Sequence, residues 1–400
     1  MSTTHTAPFV EASQSQLMNQ LWEKQLSFGF IRDQDIRELA SIHHLSEIEV
    51  EGVVSFYHFF HRQPTGKYTI YVNNSIVAEH KGCQRIIETF ERETGAQLGS
   101  VDRTGTFGLF ETPCIGLSDQ EPSALINFYP FTQLNAMKVK DIIARLKAGT
   151  EVKDIYDHPA DNIRYMPQDN KTLFFRPLKQ GNALSKAHAM GADAVIESLK
   201  KSELAGRGGA YFPTWIKWQA AKKQASHPKF VVCNADEGEP GTFKDRVLMN
   251  KVSHTLIEGM IVCGYTIGAS HGIIYLRGEY RWLKDKIESQ IQEYRNLGLL
   301  GKNCGGIKGF HFDIRIQMGA GSYVCGEETA LLESLEGKRG EPRTKWFFPV
   351  EKGYLQQPTV VNNVETFCAV AQILDLGTDE YLKLGIPGSP GTKLISVSGD

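Results

Sequence analysis

Apolar positions at helical spacing open the chain. Leu17, Leu21, Trp22 and Leu26 share one face and Ile36, Leu39, Ala40 and His43 a second, so residues 15–62 read as helices. Ser46 with Glu49 three residues on forms a capping box for a third helix. Glu49, Val53, Phe56 and Phe60 make its stripe, and Pro64-Thr65-Gly66 ends it. The segment KYTIYVNN then alternates and is rich in β-branched and aromatic residues, which predicts a strand. A helix is expected over Gly82–Thr94, strands at TFGLFET and SALINF, and a helix over Val139–Leu146. That succession makes a small α/β domain. Residues 149–180 are polar and rich in turn formers, which predicts a linker. Beyond it lie a buried-type strand FVVCN (230–234), a second, GIIYLRG (272–278), a helix Trp282–Tyr294 and an alternating stretch FDIRIQMG (312–319). The fold class is therefore α/β, with a helical front, a small domain and a larger one.

Composition narrows the function classes. The 400 residues carry 44 Lys+Arg against 46 Asp+Glu, a net charge of −2, which gives no support to a polyanion-binding surface over the whole chain. The most apolar region, Leu256 to Tyr275, is broken by Glu258 and several glycines, so no membrane span is expected. The opening MSTTHTAPFVEAS lacks the parts of a secretory signal. Seven cysteines (83, 114, 233, 263, 304, 325 and 368) include no CxxC pair, which removes the compact zinc and ferredoxin signatures. An odd count without an export signal fits a reducing cytosol. His43, His44, His58 and His61 cluster, with His58 and His61 expected on one helix face, but without carboxylate or cysteine at ligand spacing they read as packed or surface residues.

Three glycine-bearing motifs could carry chemistry. In AGRGGAYFPTWIKW, Gly206, Gly208 and Gly209 let backbone amides approach a phosphate, and Lys217 adds charge; a plain tight turn before a helix fits equally. CNADEGEPGTFKDR follows the strand FVVCN, where open α/β sheets bind ligands; its acids Asp236, Glu237 and Glu239 suit ribose hydroxyls or a flavin edge, or form a solvated turn. GAGSYVCGEET starts like a dinucleotide fingerprint but has Val324 where the last glycine should sit, so a standard Rossmann unit is disfavoured. Farther on, PTVVNNVET supplies Asn362 and Asn363.

These blocks, in this order, closely resemble the NADH-binding flavoprotein subunit shared by respiratory complex I, NAD-reducing [NiFe] hydrogenases and NAD-dependent formate dehydrogenases. The front, through LSEIEVEGVVSFYHFFHRQPTGKYTIYV and TPCIGLSDQEPSALIN, resembles the thioredoxin-like 24-kDa-type subunit. The fusion is most similar to the diaphorase subunit of hydrogenases. The resemblance implies residues 1–65 as a helical bundle, 66–150 as a thioredoxin-like domain, 151–190 as linker, 191–375 as a non-standard Rossmann-like FMN- and NADH-binding domain, and 376–400 as the start of a ubiquitin-like domain, cut at KLISVSGD.

The same resemblance implies the chemistry: hydride transfer between NAD(H) and FMN, then single electrons to an iron–sulfur chain, in a hydrogenase or, alternatively, a formate dehydrogenase or complex I. A catalytically inactive scaffold is the other class, and the intact blocks speak against it. No side chain need act as a catalyst; positioning is the role. Gly206, Gly208, Lys217, Asn234, Asp236, Glu237, Tyr323, Gly326, Glu327, Asn362 and Asn363 match the FMN pocket. Phe212, Glu239, Glu328, Lys345 and Phe348 match the NADH side, with Phe212 and Phe348 sandwiching adenine, Glu328 on the ribose, Glu239 near nicotinamide, and Ala220 where relatives often have a second aromatic. The [2Fe–2S] ligand positions fall on Asn73, Ala78, Cys114 and Ser118, with Cys83 nearby but not at one. One thiolate of four leads to the expectation of no metal site and no [2Fe–2S] cluster here. A [4Fe–4S] cluster is expected beyond residue 400. Partners implied are an iron–sulfur electron-transfer subunit and a hydrogenase or dehydrogenase module, in the cytoplasm.

Overall fold

The computed structural model describes residues 13–163, 173–344, 346–386 and 388–399. Three helices open it: α1 (Leu17–Phe28), α2 (Asp33–His43) and α3 (Glu47–Phe56). The Ser46/Glu49 capping box forms, with the Ser46 Oγ accepting from the Glu49 amide. α3 stops at Phe56, so Phe60, His58 and His61 leave the helix rather than extending its stripe. Leu26 is also exposed rather than part of the packed face of α1.

The small domain is a five-stranded sheet in the order β2-β3-β1-β4-β5. Its elements are β1 (Tyr68–Asn73), α4 (Ile76–His80), α5 (Cys83–Thr94), β2 (Ser100–Val101), β3 (Phe107–Thr112), β4 (Ala124–Ile126), β5 (Tyr129–Phe131) and α6 (Ala136–Lys147). β1 and β3 are parallel and the other pairings antiparallel. Alternation in β1 serves two cores. Tyr68, Ile70 and Val72 pack with α5 and α6, whereas Tyr71 turns to the opening helices and the larger domain.

The segment expected as linker carries buried residues and a helix where it is described. Leu173 and Phe174 are buried, and α7 (Asn182–Met190) lays Ala183, Leu184 and Ala187 against the larger domain.

The larger domain continues with α8 (Ala192–Lys201), α9 (Thr214–Lys223), β6 (Phe230–Ala235), α10 (Lys244–Ile267), β7 (His271–Leu276), α11 (Lys284–Asn296), β8 (Asp313–Met318), α12 (Glu328–Leu335), α13 (Pro349–Lys352), β9 (Thr359–Asn363), α14 (Val364–Leu376) and α15 (Thr378–Leu382). Its sheet is wholly parallel, in the order β8-β7-β6-β9. The chain leaves β6 toward β7 on one side and returns to β9 on the other, so the strand order reverses beside β6. In open α/β sheets that reversal leaves a crevice at the carboxyl ends of the strands. The apolar run Leu256–Tyr275 becomes the second half of α10 and most of β7, buried inside the domain. Among the described residues no helix is long and apolar enough to cross a membrane. A short hairpin, β10 (Gly385–Ile386) with β11 (Ser389–Pro390), precedes extended chain.

The two domains share a polar, buried junction. Arg246, fully enclosed, donates to the Gly116 carbonyl at 2.7 Å and to both Asp119 oxygens at 2.9 and 3.1 Å. Arg277 donates to the Cys114 carbonyl at 2.8 Å and pairs with Glu279.

Candidate functional site

A cleft of about 540 Å³ opens at the carboxyl ends of β6 and β9. Its walls come from all the separated motifs: Arg207, Gly208 and Gly209 before α9; Asn234 near the end of β6 and Asp236 to Glu239 after it; Thr242, Lys244 and Asp245 at the start of α10; Tyr323, Val324, Gly326 and Glu327 before α12; and Asn363 at the end of β9.

Helix starts explain much of this arrangement, because first-turn amides need acceptors. Glu237 accepts from the amides of Asp245 and Arg246 at 2.9 and 3.1 Å, and from the Tyr280 hydroxyl at 2.9 Å. Glu327 accepts from the Thr329 and Ala330 amides at the head of α12. Asn363 accepts from the Glu365 amide and donates to Asp245 at 2.6 Å. Asn234 donates to the Gly326 carbonyl at 2.8 Å, which joins the β6 loop to the glycine loop. A Cβ on Gly208 would lie 3.2 Å from the Asn363 Cβ, a tight contact, so glycine lets that turn approach β9 without displacing Asn363.

Charge in the cleft is balanced unevenly. Burial pushes the Asp236 carboxyl up to about 7, with Arg277 pulling it partly back. Its Oδ2 is enclosed without a hydrogen-bond partner. Burial, with Asp245 nearby, likewise raises Glu237 to about 7. Burial opposes the charge of Lys244, but Asp245, Glu365 and Glu237 outweigh it and hold the ammonium above its ordinary range. Its Nζ lies 2.7 Å from Asp245 and 3.0 Å from Glu365.

Of the residues singled out from the sequence for FMN, Gly208, Asn234, Asp236, Glu237, Tyr323, Gly326, Glu327 and Asn363 line the cleft. Gly206, Lys217 and Asn362 do not. Asn362 accepts from the Trp218 indole at 2.9 Å, and Lys217 pairs with Glu328 at 2.7 Å. On the NADH side Glu239 lines the cleft, accepting from the Tyr323 hydroxyl at 2.6 Å. Phe212 and Phe348 are exposed outside it, and Lys345 lies outside the described residues. Sequence reasoning misses Arg207 and Lys244. Each lies inside one of the glycine-bearing motifs, and the signal for both is a cation beside a helix start or glycine turn.

The four positions aligned with cluster ligands lie at the junction end of the small sheet. Cys114 Sγ is 3.4 Å from Ser118 Oγ and 3.5 Å from the Gly241 amide, while Asn73 donates to Glu121. Among the described residues no group of three or more His, Cys, Asp and Glu gathers as a metal site.

Comparison with known proteins places both halves. Residues 199–372 match the Nuo51 FMN-binding domain, and residues 3–147 match the thioredoxin-like [2Fe-2S] ferredoxin family. The second match overturns the expectation that the front domain carries no [2Fe–2S] cluster: counting thiolates at four aligned positions does not exclude one from a domain of this type. The NAD-reducing hydrogenase HoxS subunit alpha of Cupriavidus necator is 48% identical, covering 97% of this chain and 66% of that protein. An NADH-quinone oxidoreductase subunit of Aquifex aeolicus is 50% identical over 56% of this chain and 52% of its own length. The crystal structure of an NAD+-reducing [NiFe]-hydrogenase in the H2-reduced state superposes with a TM-score of 0.88 at 35% identity, over 98% of this chain and 66% of that one. The chain thus spans 66% or less of the length of these relatives. With both matches in one continuous fold, the chain belongs to the family in which a thioredoxin-like [2Fe-2S] ferredoxin-type domain is fused ahead of a Nuo51-type FMN-binding domain, as in the alpha subunits of NAD-reducing hydrogenases.

Proposed function

We propose that the chain is a diaphorase subunit that passes electrons between NAD(H) and an iron–sulfur chain through FMN, in a soluble NAD-reducing hydrogenase of the cytoplasm. The observation that carries this reading is the cleft at the strand-order reversal, where four motifs far apart in sequence converge. The residues suit a flavin. Asp236 offers an enclosed carboxylate oxygen without a partner, Gly208 and Gly209 leave the wall free of side chains, and Arg207 and Lys244 bring cations to the same space.

When bound, FMN would supply two-electron acceptance on one side and one-electron release on the other. The chain's own residues hold and orient. Asn234 and Asp236 face the polar ring edge, and Asp236 Oδ2 can hold a proton there near neutral pH. Arg207, Lys244 and Asn363 receive the phosphate end, with Gly206, Lys217 and Asn362 supporting that wall from behind. Glu239 and Tyr323 form the rim on the nicotinamide side. Phe212 and Phe348, both exposed, offer faces for adenine, with Lys345 beside them in sequence. Glu328 takes the ribose hydroxyls once drawn from Lys217, and its carboxylate repels a 2′-phosphate.

The domain divisions at 65, 150, 190 and 375 follow this reading, and the extended chain after β11 begins a ubiquitin-like domain. A further iron–sulfur subunit and a hydrogenase module are the partners; similarity to a hydrogenase alpha subunit over 97% of the chain favours these over a formate dehydrogenase or complex I setting. Dye reduction by NADH with and without added FMN tests the proposal. FMN-dependent turnover supports it, and none with FMN present removes it.

A further inference from the structure

The glycine loop that leads into the cleft is held from outside its own domain. Trp22 Nε1 donates to the Gly319 carbonyl at 3.2 Å, the Phe59 amide to Ala320 at 3.1 Å, and the His58 amide to Gly321 at 3.0 Å. Three successive carbonyls are thereby taken by the opening helical segment. Immediately downstream, Tyr323, Val324, Gly326 and Glu327 line the cleft.

Side chains reinforce the grip. A Cβ on Gly321 would lie 2.8 Å from the Phe59 ring and 3.1 Å from His58 Cβ, and one on Gly278 would lie 2.9 Å from Phe59. Those glycines admit Phe59, which is wholly buried. Gly321 also has a φ of +82°, so its turn needs glycine on both counts. Gln317, on β8 just before the loop, donates to Asn19 on α1 at 2.8 Å. Trp22 is itself fixed edge-on against Phe60 and Phe128, at 5.5 and 5.2 Å between ring centroids. The donors fall within the 3–147 match and the loop within the 199–372 match, so the clamp joins the two families' halves.

We infer that Trp22 and the His58–Phe59 backbone are positioning elements for the flavin site, fixing the Gly319–Gly321 loop so that Tyr323 to Glu327 form the cleft wall. The front segment is then a working part of the site as well as a neighbour of the small domain. This inference rests on the flavin reading above only for its choice of ligand.

The full chain carrying Trp22→Phe keeps the aromatic packing and removes one donor. Ser46→Ala is the control: the Ser46 hydroxyl caps α3 in the same opening segment, accepting from the Glu49 amide at 3.2 Å, but does not touch the loop. FMN affinity is read by quenching of free flavin fluorescence, and loop order by hydrogen exchange of peptides spanning 319–327. Leaving a buried carbonyl unpaired is expected to weaken FMN about tenfold, the equivalent of about 1.4 kcal/mol. Exchange in 319–327 should speed up in Trp22→Phe while Ser46→Ala matches the parent in both readouts. Equal effects from the two variants, or none from Trp22→Phe, would overturn the inference. If the parent itself binds no FMN, the flavin reading fails, and exchange alone then decides the clamp by the same comparison.

Discussion

Replacing Arg246 by alanine should break the junction between the two domains. Its guanidinium is enclosed and makes contacts at 2.7, 2.9 and 3.1 Å with the Gly116 carbonyl and Asp119. It also reaches Asp161, whose side chain is fully buried, at 3.4 Å. Alanine leaves Asp161 with Asn250 at 2.6 Å and the half-exposed Lys251 at 3.8 Å, and leaves Asp119 without its forked partner. Breaking a buried pair from one side costs about 3–5 kcal/mol, and the remaining partners of Asp161 place this case toward the lower end. Urea unfolding followed by tryptophan fluorescence would read the loss. Asp119→Ala alone and the double variant complete a cycle, in which the double loss should fall short of the sum by about 1–3 kcal/mol. A loss below about 1 kcal/mol, or strict additivity, would refute the picture of a buried ionic junction.

Glu328→Ala is expected to raise KM for NADH and narrow the preference over NADPH, because it removes the carboxylate proposed to repel a 2′-phosphate; steady-state kinetics with both nucleotides check it. Tyr323→Phe loses the hydroxyl that holds Glu239 at 2.6 Å and should raise KM for NADH about two- to fivefold with kcat little changed, since the contact is exposed. Glu258 is buried in α10 and burial pushes its carboxyl up to about 7 from 4.5. The fold therefore keeps a proton that the unfolded chain releases, and stability falls as pH rises from about 4.5 through 7, by on the order of 3 kcal/mol for this group. Glu258→Gln should flatten that fall and raise the Tm at pH 8; an unchanged pH profile would exclude Glu258 as its source.

The residue pattern showed the elements where a single periodicity ruled: Leu17, Leu21 and Trp22 for α1, the Ser46–Glu49 box for α3, and FVVCN for β6. It concealed elements whose signal was short or split. β9 is five residues of TVVNN, read from sequence only as a pair of amides, yet its pairing with β6 brings Asn363 into the cleft. α7 went unread because only three apolar residues, Ala183, Leu184 and Ala187, make its buried face. At the site, spacing located the loops but not what each side chain does. Gly319 and Gly321 looked like the start of a dinucleotide fingerprint, whereas Gly321 makes room for Phe59, a residue more than 250 positions away in sequence. Glu237 and Glu327 looked like ligand groups, and their carboxylates cap α10 and α12. Lys217 and Glu328, assigned to different ligands, pair with each other. Such long-range pairings have no local pattern to reveal them.

Binding of an NADH-reducible flavin in the cleft at the carboxyl ends of β6 and β9 is tested most directly by an anaerobic NADH titration. The purified chain is reconstituted with FMN and followed in the visible spectrum. The expected result is a bound flavin band that bleaches in proportion to added NADH, and that loses this response in Glu328→Ala at the same NADH concentrations. A chain that retains no flavin, or whose flavin band is unmoved by NADH, would contradict the proposed role.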